Sequence, residues 1–426
     1  MSRLEPTNEA SAMQKEISAI TEQGGGTTKV EQLIQQYCPD GVEYKKLGDV
    51  CDIKGRIGFR GYTRQDLVEE ADGAITLSPS NIINQELNYE DCSYISWAKY
   101  EESPEIKVAV GDVIFTKTAS VGKTALVKYL PKEATINPQL VVLKNIQCNS
   151  AFLAYVLKTY RFQKEVAKLQ GVGSVPNISQ TSLSGITIPI PPLPVQEEIV
   201  RILDNFAELQ AELQAELQKR LQQYNYYRDK LLSFNELNRG GQSVSIEWKK
   251  LGEICNLSRG KVYSKSYIEK NAGAYPVYSS QTANNGELGR ISTYDYDGEY
   301  LTWTTDGAYA GTIFYRKDKF SITNVCGLIS PKEDNLNIKF LFYWLSIKAP
   351  DYVYRGMGNP KLMSNQMEPI KVPIPPLAEQ QRIVDILDRF DKLTTDITAG
   401  LPAEIEARRK QYEYYRDQLL TFKQKA

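Results

Sequence analysis

Apolar positions fall in two regimes along this chain. In one regime they recur every three or four residues: Ile199, Ile202, Phe206, Leu209, Leu213, Leu217, Leu221 and Tyr224 make one stripe, and Ile383, Ile386, Phe390, Leu393, Ile397, Leu401 and Ile405 make a second. Such spacing predicts long amphipathic helices. In the other regime short β-branched or aromatic runs, such as Val113-Ile114-Phe115 and Tyr300-Leu301-Thr302-Trp303, are broken by Gly, Asn and Pro. That texture predicts β-rich domains. Within them, residues 151–167 and 338–347 have the pattern of helices, and Val30 to Tyr37 that of a turn or two of amphipathic helix.

The pattern occurs twice. Pro189-Ile190-Pro191-Pro192-Leu193 leads into Gln196, Ile199-Val200, Ile202-Leu203-Asp204 and Phe206. Pro373-Ile374-Pro375-Pro376-Leu377 leads into Gln380, Ile383-Val384, Ile386-Leu387-Asp388 and Phe390. The copies close on Tyr226-Tyr227-Arg228-Asp229 and Tyr414-Tyr415-Arg416-Asp417. A repeat this long is one structural unit used twice. The expected organisation is an arm and short helix over 1–41, a domain over 42–192, a helix over 193–234, a linker over 235–245, a second domain over 246–375 and a final helix over 376–426. The expected class is α+β: two β-rich domains separated by two long antiparallel helices that pack as an intramolecular coiled coil, in a pseudo-twofold internal repeat. Gly400-Leu401-Pro402 should kink or break the second helix. The first carries three tandem tetrapeptides, starting at Ala207, Ala211 and Ala215, each a little over one helical turn.

Composition narrows the chemistry. The 426 residues contain no histidine, which removes Ser-His and Cys-His pairs and histidine metal sites. The six cysteines show no Cys-x-x-Cys spacing and read as reduced thiols, with Cys51 and Cys255 as equivalent core positions. A net charge of -1 rules out bulk attraction as the means of holding nucleic acid, so any grip on DNA is local or shared with a partner. No apolar run is long enough to span a bilayer and the first residues lack a secretory pattern, so the expected location is the cytoplasm. Val121-Gly122-Lys123-Thr124 imitates the end of a phosphate-binding loop, but Lys117 stands where that loop needs glycine. Pro39-Asp40 with Glu43 and Lys45 imitates a nuclease carboxylate cluster without the separation between metal-binding arms.

These repeats, together with Tyr275-Pro276-Val277-Tyr278-Ser279-Ser280-Gln281-Thr282 and Trp303-Thr304-Thr305-Asp306-Gly307, resemble the specificity subunit of type I restriction-modification systems. The resemblance covers nearly everything after residue 29. It implies a DNA reader without catalysis or a cofactor of its own. Two target recognition domains would each read half of a bipartite site on double-stranded DNA. The helices would set the spacer and dock methyltransferase subunits, two being expected. Those subunits use S-adenosylmethionine, and a restriction/translocase subunit that uses ATP joins through them.

Base readout needs donors and acceptors on loops. In the second domain the candidates are Lys261, Tyr263, Ser280, Gln281, Asn284, Asn285 and Thr305; in the first they are Arg56, Arg60, Ser80, Asn81, Lys117, Thr118 and Lys123. Each could equally be a phosphate anchor or a solvated loop residue. Tyr226, Tyr227, Arg228, Tyr414, Tyr415 and Arg416 are candidates for coil-end packing, for a methyltransferase surface, or for both. The rival reading is a coiled-coil scaffold presenting two β-rich protein- or glycan-binding domains. A stand-alone nuclease is disfavoured by the missing metal ligands.

Overall fold

The computed structural model describes residues 28–56, 58, 61–171, 173–234, 246–356, 358–394 and 400–425. These form two compact units, Met1–Ala215 with Glu404–Ala426, and Glu216–Ala403. Each unit holds one β-rich domain.

Each domain is closed by its own first and last strands. Glu43–Lys46 pairs antiparallel with Thr187–Ile190, and Glu247–Lys250 with Lys371–Ile374. The Pro-Ile-Pro-Pro motif is therefore the domain's closing strand running into a helix. Proline is tolerated there because a two-stranded ribbon has a free edge that needs no N–H.

Between these strands each domain builds two four-stranded sheets, one of which has the same strand order in both domains. In the first sheet Leu140–Lys144 lies between Asp52–Lys54 and Val113–Thr116, with Thr124–Leu126 outermost. In the second domain Cys326–Pro331 lies between Cys255–Arg259 and Tyr300–Thr304, with Ile313–Arg316 outermost. The other sheet of each domain contains one parallel pair, Ala134–Ile136 on Gly73–Leu77 and Lys319–Ile322 on Ala272–Tyr278. Gly327 shows how closely neighbouring strands fit: it pairs with Trp303 in the same sheet, and a Cβ there would meet the indole ring at 2.3 Å, so only glycine can lie opposite it. Cys51 and Cys255 are both buried and free, at matching positions.

The predicted helix over 151–167 is two helices, Ser150–Leu157 and Tyr160–Leu169. Thr159 divides them: its Oγ1 donates to Val156 O at 2.7 Å and accepts from Phe162 N at 3.3 Å, ending one helix and capping the next. Its counterpart in the second domain runs unbroken from Ile338 to Lys348. The short amphipathic helix is Lys29–Tyr37, started by a Thr28/Glu31 capping box and tied down by Lys29 Nζ on buried Glu198 at 2.7 Å.

The repeated helix motif clamps each domain to its long helix through paired polar contacts. Gln196 Oε1 accepts from Asn149 N at 2.8 Å while its Nε2 donates to Pro191 O at 2.6 Å. Gln380 does the same with Asn337 N and Pro375 O, both at 2.8 Å. About two turns further on, Asp204 accepts from the Tyr155 hydroxyl and Asp388 from that of Tyr343 at 2.7 Å. The motif's spacing thus sets a glutamine at the entrance of the domain's helix and an aspartate beside its tyrosine.

The first long helix is continuous from Leu193 to Leu232. The second is broken as its Gly-Leu-Pro predicts: Leu377–Thr394 and Leu401–Leu419 are separate helices, with Pro402 in the first turn of the latter. Ile397, one of the stripe positions, lies outside the described residues. Within the first unit, Ile199, Ile202, Leu203 and Phe206 share a core with Tyr412, Leu420 and Phe422, and the Phe206 ring stacks on Tyr415 at 5.9 Å. Within the second, Tyr227 stacks on Phe390 at 5.7 Å. The chain's end joins the first domain too: Val42 bridges Gln424, and the Tyr44 hydroxyl donates to Phe422 O at 3.1 Å.

Candidate nucleic-acid interface

The loops that carry the candidate residues are held by the same device in both domains. The hairpin turn 117–123 is pinned by the Thr118–Asn177 bridge and by Ile178 N donating to Lys117 O at 2.9 Å. The turn 305–311 is pinned by the Asp306–Lys361 bridge and by Leu362 N donating to Thr305 O at 2.9 Å. Gly122 and Gly311, at φ +98° and +89°, make the returns that other residues rarely adopt. The Val-Gly-Lys-Thr tetrapeptide is thus a β-turn and not the mouth of a helix.

In the first domain the turn meets the segment 79–85. Lys123 Nζ donates to Pro79 O at 3.2 Å and Ile82 O at 3.4 Å, which brings Lys123 and exposed Ser80 to one cleft of about 580 Å³. Lys158 and Gln163 line the same cleft and were not among the sequence candidates. Burial drives the Lys158 ammonium down to about 8, an effect only partly offset by Glu86. No motif marks it; only its place just before Thr159, at the break between two helices, sets it apart. Lys117 is half-buried, and burial alone lowers its pKa.

Two first-domain candidates are occupied within the protein. Asn81 Oδ1 accepts from Ser78 N at 2.9 Å and its Nδ2 donates to Asn88 O at 3.2 Å, so the amide organises its own loop. Arg56 is 5% exposed, with Nε on Ile136 O at 3.2 Å and Nη2 on Thr135 Oγ1 at 3.3 Å. Thr118 is half-buried in the bridged turn, and Arg60 lies outside the described residues.

In the second domain, Ser280 Oγ and Thr305 Oγ1 both donate to Val325 O, the latter at 2.8 Å, and Thr305 is buried. Gln281 Nε2 donates to Glu287 O, across the base of the loop 279–286. At its tip Asn284 and Asn285 are exposed and left-handed, at φ 53° and 52°. Lys261 and Tyr263 converge on Asp295, the tyrosine at 2.6 Å; their hydrogen bonds hold this carboxyl below its ordinary range although burial opposes them. Ser280, Gln281, Asn284 and Asn285 therefore belong to one loop, and Lys261 with Tyr263 to a separate cluster.

The helix-end residues repeat each other closely. Tyr415 stacks on Phe206 and Tyr227, still 38% exposed, on Phe390, whereas Tyr226 and Tyr414 are each 60% exposed. Arg228 lies over Tyr224 and bonds Asp229, and Arg416, which is buried, lies over Tyr412 and bonds Asp417. Coil-end packing is thus real for Tyr227, Tyr415 and Arg416, and Tyr226 and Tyr414 are left facing outward. Among the described residues, no cluster of three or more Cys, Asp or Glu could hold a metal ion, and no helix is long and apolar enough to cross a membrane.

A duplicated sheet framework with differing polar loops, joined to long helices, is the architecture of a recognition protein. The model of the type I restriction modification DNA specificity domain matches residues 39–223 and again 244–407, and the chain belongs to that family. It is 44% identical over 204 residues to the specificity subunit of the type I restriction enzyme MpnII of Mycoplasma pneumoniae, covering 48% of this chain and 62% of that one. It is 37% identical over 276 residues to the specificity subunit of EcoR124I/EcoR124II of Escherichia coli, covering 58% and 65%. The fold is shared with the S subunit of the type I system of M. genitalium at a TM-score of 0.55 and 16% identity, over 89% of this chain and 96% of that one. A chain from a structure on complex assembly and conformational transition of the type I system gives 0.58 and 19%, over 90% and 98%. The protein is accordingly a DNA-specificity subunit of the type I restriction-modification class, a recognition component and not a catalytic one.

Proposed function

We propose that the domain over 42–192 and the domain over 246–375 each read one half of a bipartite site on double-stranded DNA. The two halves differ because the loops differ. The observation that carries this reading is the constancy of the frame against the loops: the closing ribbons, the order of one sheet, turn pinning and glutamine clamp recur, while Lys123, Ser80 and Lys158 line the loops of one domain and Gln281, Asn284 and Asn285 those of the other. The tandem tetrapeptides from Ala207 set the unread spacer, and outward Tyr226 and Tyr414 dock two methyltransferase subunits, through which the restriction/translocase subunit joins. The complex works on cytoplasmic DNA.

Single-molecule methylation mapping in a host with and without this gene, in the presence of its modification subunits, tests the reading. A two-part asymmetric methylated sequence that appears only with the gene is the expected result. Identical methylomes would overturn it and favour the scaffold alternative.

A further inference from the structure

The second domain buries a guanidinium for which its fold supplies no anion. Arg316 is 2% exposed, with Nε donating to Thr302 Oγ1 at 3.0 Å and the Tyr278 side chain near enough to favour its charge, while Nη1 and Nη2 meet no acceptor at full hydrogen-bonding distance. The Tyr278 ring lies 3.6 Å from the guanidinium and the Phe314 ring 4.5 Å. Glu287, the carboxylate that acts on it, is engaged by Arg290 at 2.9 and 3.0 Å. Burial lowers the Arg316 pKa to about 10, so the charge persists at neutral pH. Leaving a buried charge without an acceptor is among the more costly things a fold can do.

The architecture does not demand this charge, because the sister domain omits it. Phe115 pairs with Thr124 as Trp303 pairs with Ile313, which sets Ile114 in the place of Thr302 and Val127 in the place of Arg316. Leu77 O accepts from Asn137 N as Tyr278 O accepts from Thr323 N, which sets Leu77 in the place of Tyr278. Leu77, Ile114 and Val127 are all fully buried in one apolar core. The same strands therefore pack with three aliphatic side chains in one domain and with an arginine, a threonine and a tyrosine in the other.

The 279–286 loop passes over one of these nitrogens. A Cβ on Gly286 would sit 2.9 Å from Arg316 Nη2, and Gly286 closes the 279–286 loop by accepting from Ser279 N at 2.9 Å. The guanidinium thus lies directly beneath the loop that carries Gln281, Asn284 and Asn285.

We propose that Arg316 is a DNA-contacting residue of the second domain: the 279–286 loop shifts against the duplex, and Nη1 and Nη2 take a pair of acceptors from it. The guanine O6/N7 edge and two phosphate oxygens share that chemistry. The inference rests on the DNA reading proposed above.

The test uses the complete complex with its modification subunits, carrying R316V (the sister domain's residue) or R316K, against a duplex containing the sequence that the unaltered complex methylates. R316V is expected to keep or raise the Tm while affinity falls roughly 5- to 150-fold, and R316K to lose much of the same affinity because it keeps the charge without the fork. Methylation relaxed at one position of one half-site identifies a guanine. Uniform weakening with a salt slope reduced by about one identifies a phosphate. Unchanged binding and methylation, or a lowered Tm as the only effect, overturns the proposal. If the unaltered complex methylates no defined sequence, the DNA reading itself fails and this inference falls with it.

Discussion

Deleting Ala211 to Gln214 removes one tetrapeptide from a helix that runs unbroken from Leu193 to Leu232. Four residues contribute about 6 Å of rise and about 40° beyond a full turn. Leu217 then takes the place of Leu213, so the half-buried stripe is kept with a small rotation. Duplex DNA rises about 3.4 Å per base pair, so the lost length corresponds to a little under two base pairs. The rotation is close to one base-pair step, since a turn of DNA takes about 10–10.5 base pairs. Both measures give a spacer shorter by one or two base pairs. Because the deletion touches neither sheet framework, both half-sites should be unchanged. Duplicating the tetrapeptide should lengthen the spacer by the same amount. Single-molecule methylation mapping reads all three quantities at once. If the deletion and duplication variants both methylate with the original spacer, or if either changes a half-site, the helix is not what sets the distance.

Other expectations follow from individual contacts. Gln196→Ala leaves Asn149 N and Pro191 O without partners, and Gln380→Ala does the same to Asn337 N and Pro375 O. Each should cost about 1–3 kcal/mol in urea unfolding without altering the methylated sequence. Burial lowers the Lys158 pKa to about 8 on folding, from the ordinary lysine value of about 10.4, so the folded state binds fewer protons between those values and stability rises with pH across that window. Lys158→Met should therefore be more stable than the unaltered chain below pH 8, and its advantage should shrink toward pH 10 by no more than about 1.4 kcal/mol per unit. A pH-independent difference would show that the ammonium is not desolvated. Burial drives the Cys51 and Cys255 thiols up to about 12. Iodoacetamide at pH 8 should accordingly leave both unmodified in the native protein and label them in urea, as peptide mass spectrometry can read.

The frame was legible because it is written in periodicity and repetition. Proline-rich entry, the leucine stripe and the duplicated tyrosine ends each have one mechanical meaning, and the Gly-Leu-Pro break followed from backbone sterics alone. The division of residues 151–167 into two helices has a cause that hydropathy cannot register. Apolar spacing continues through Lys158 and Thr159, and it is one hydroxyl satisfying both helix ends that divides them. The glutamine and aspartate of the repeat were visible as a pattern, yet their partners, Asn149 and Tyr155, lie far along the chain. Sequence shows that such residues recur, and only the fold shows what they hold.

The candidate reading residues resist the sequence for a different reason. A loop donor and a loop organiser are the same residue types, and what separates them is whether their hydrogen bonds are already spent. Asn81 and Asn284 look alike in sequence, but one binds its own loop and the other projects from a turn at positive φ. Arg56 and Arg316 invert the expectation drawn from exposure, since both are buried and only the second has terminal nitrogens that meet no acceptor at full hydrogen-bonding distance. In a protein built from one frame used twice, the sharper guide is the difference between equivalent positions. Where Val127 suffices for packing, Arg316 at the matching place brings a charge whose terminal nitrogens the fold leaves without a close acceptor.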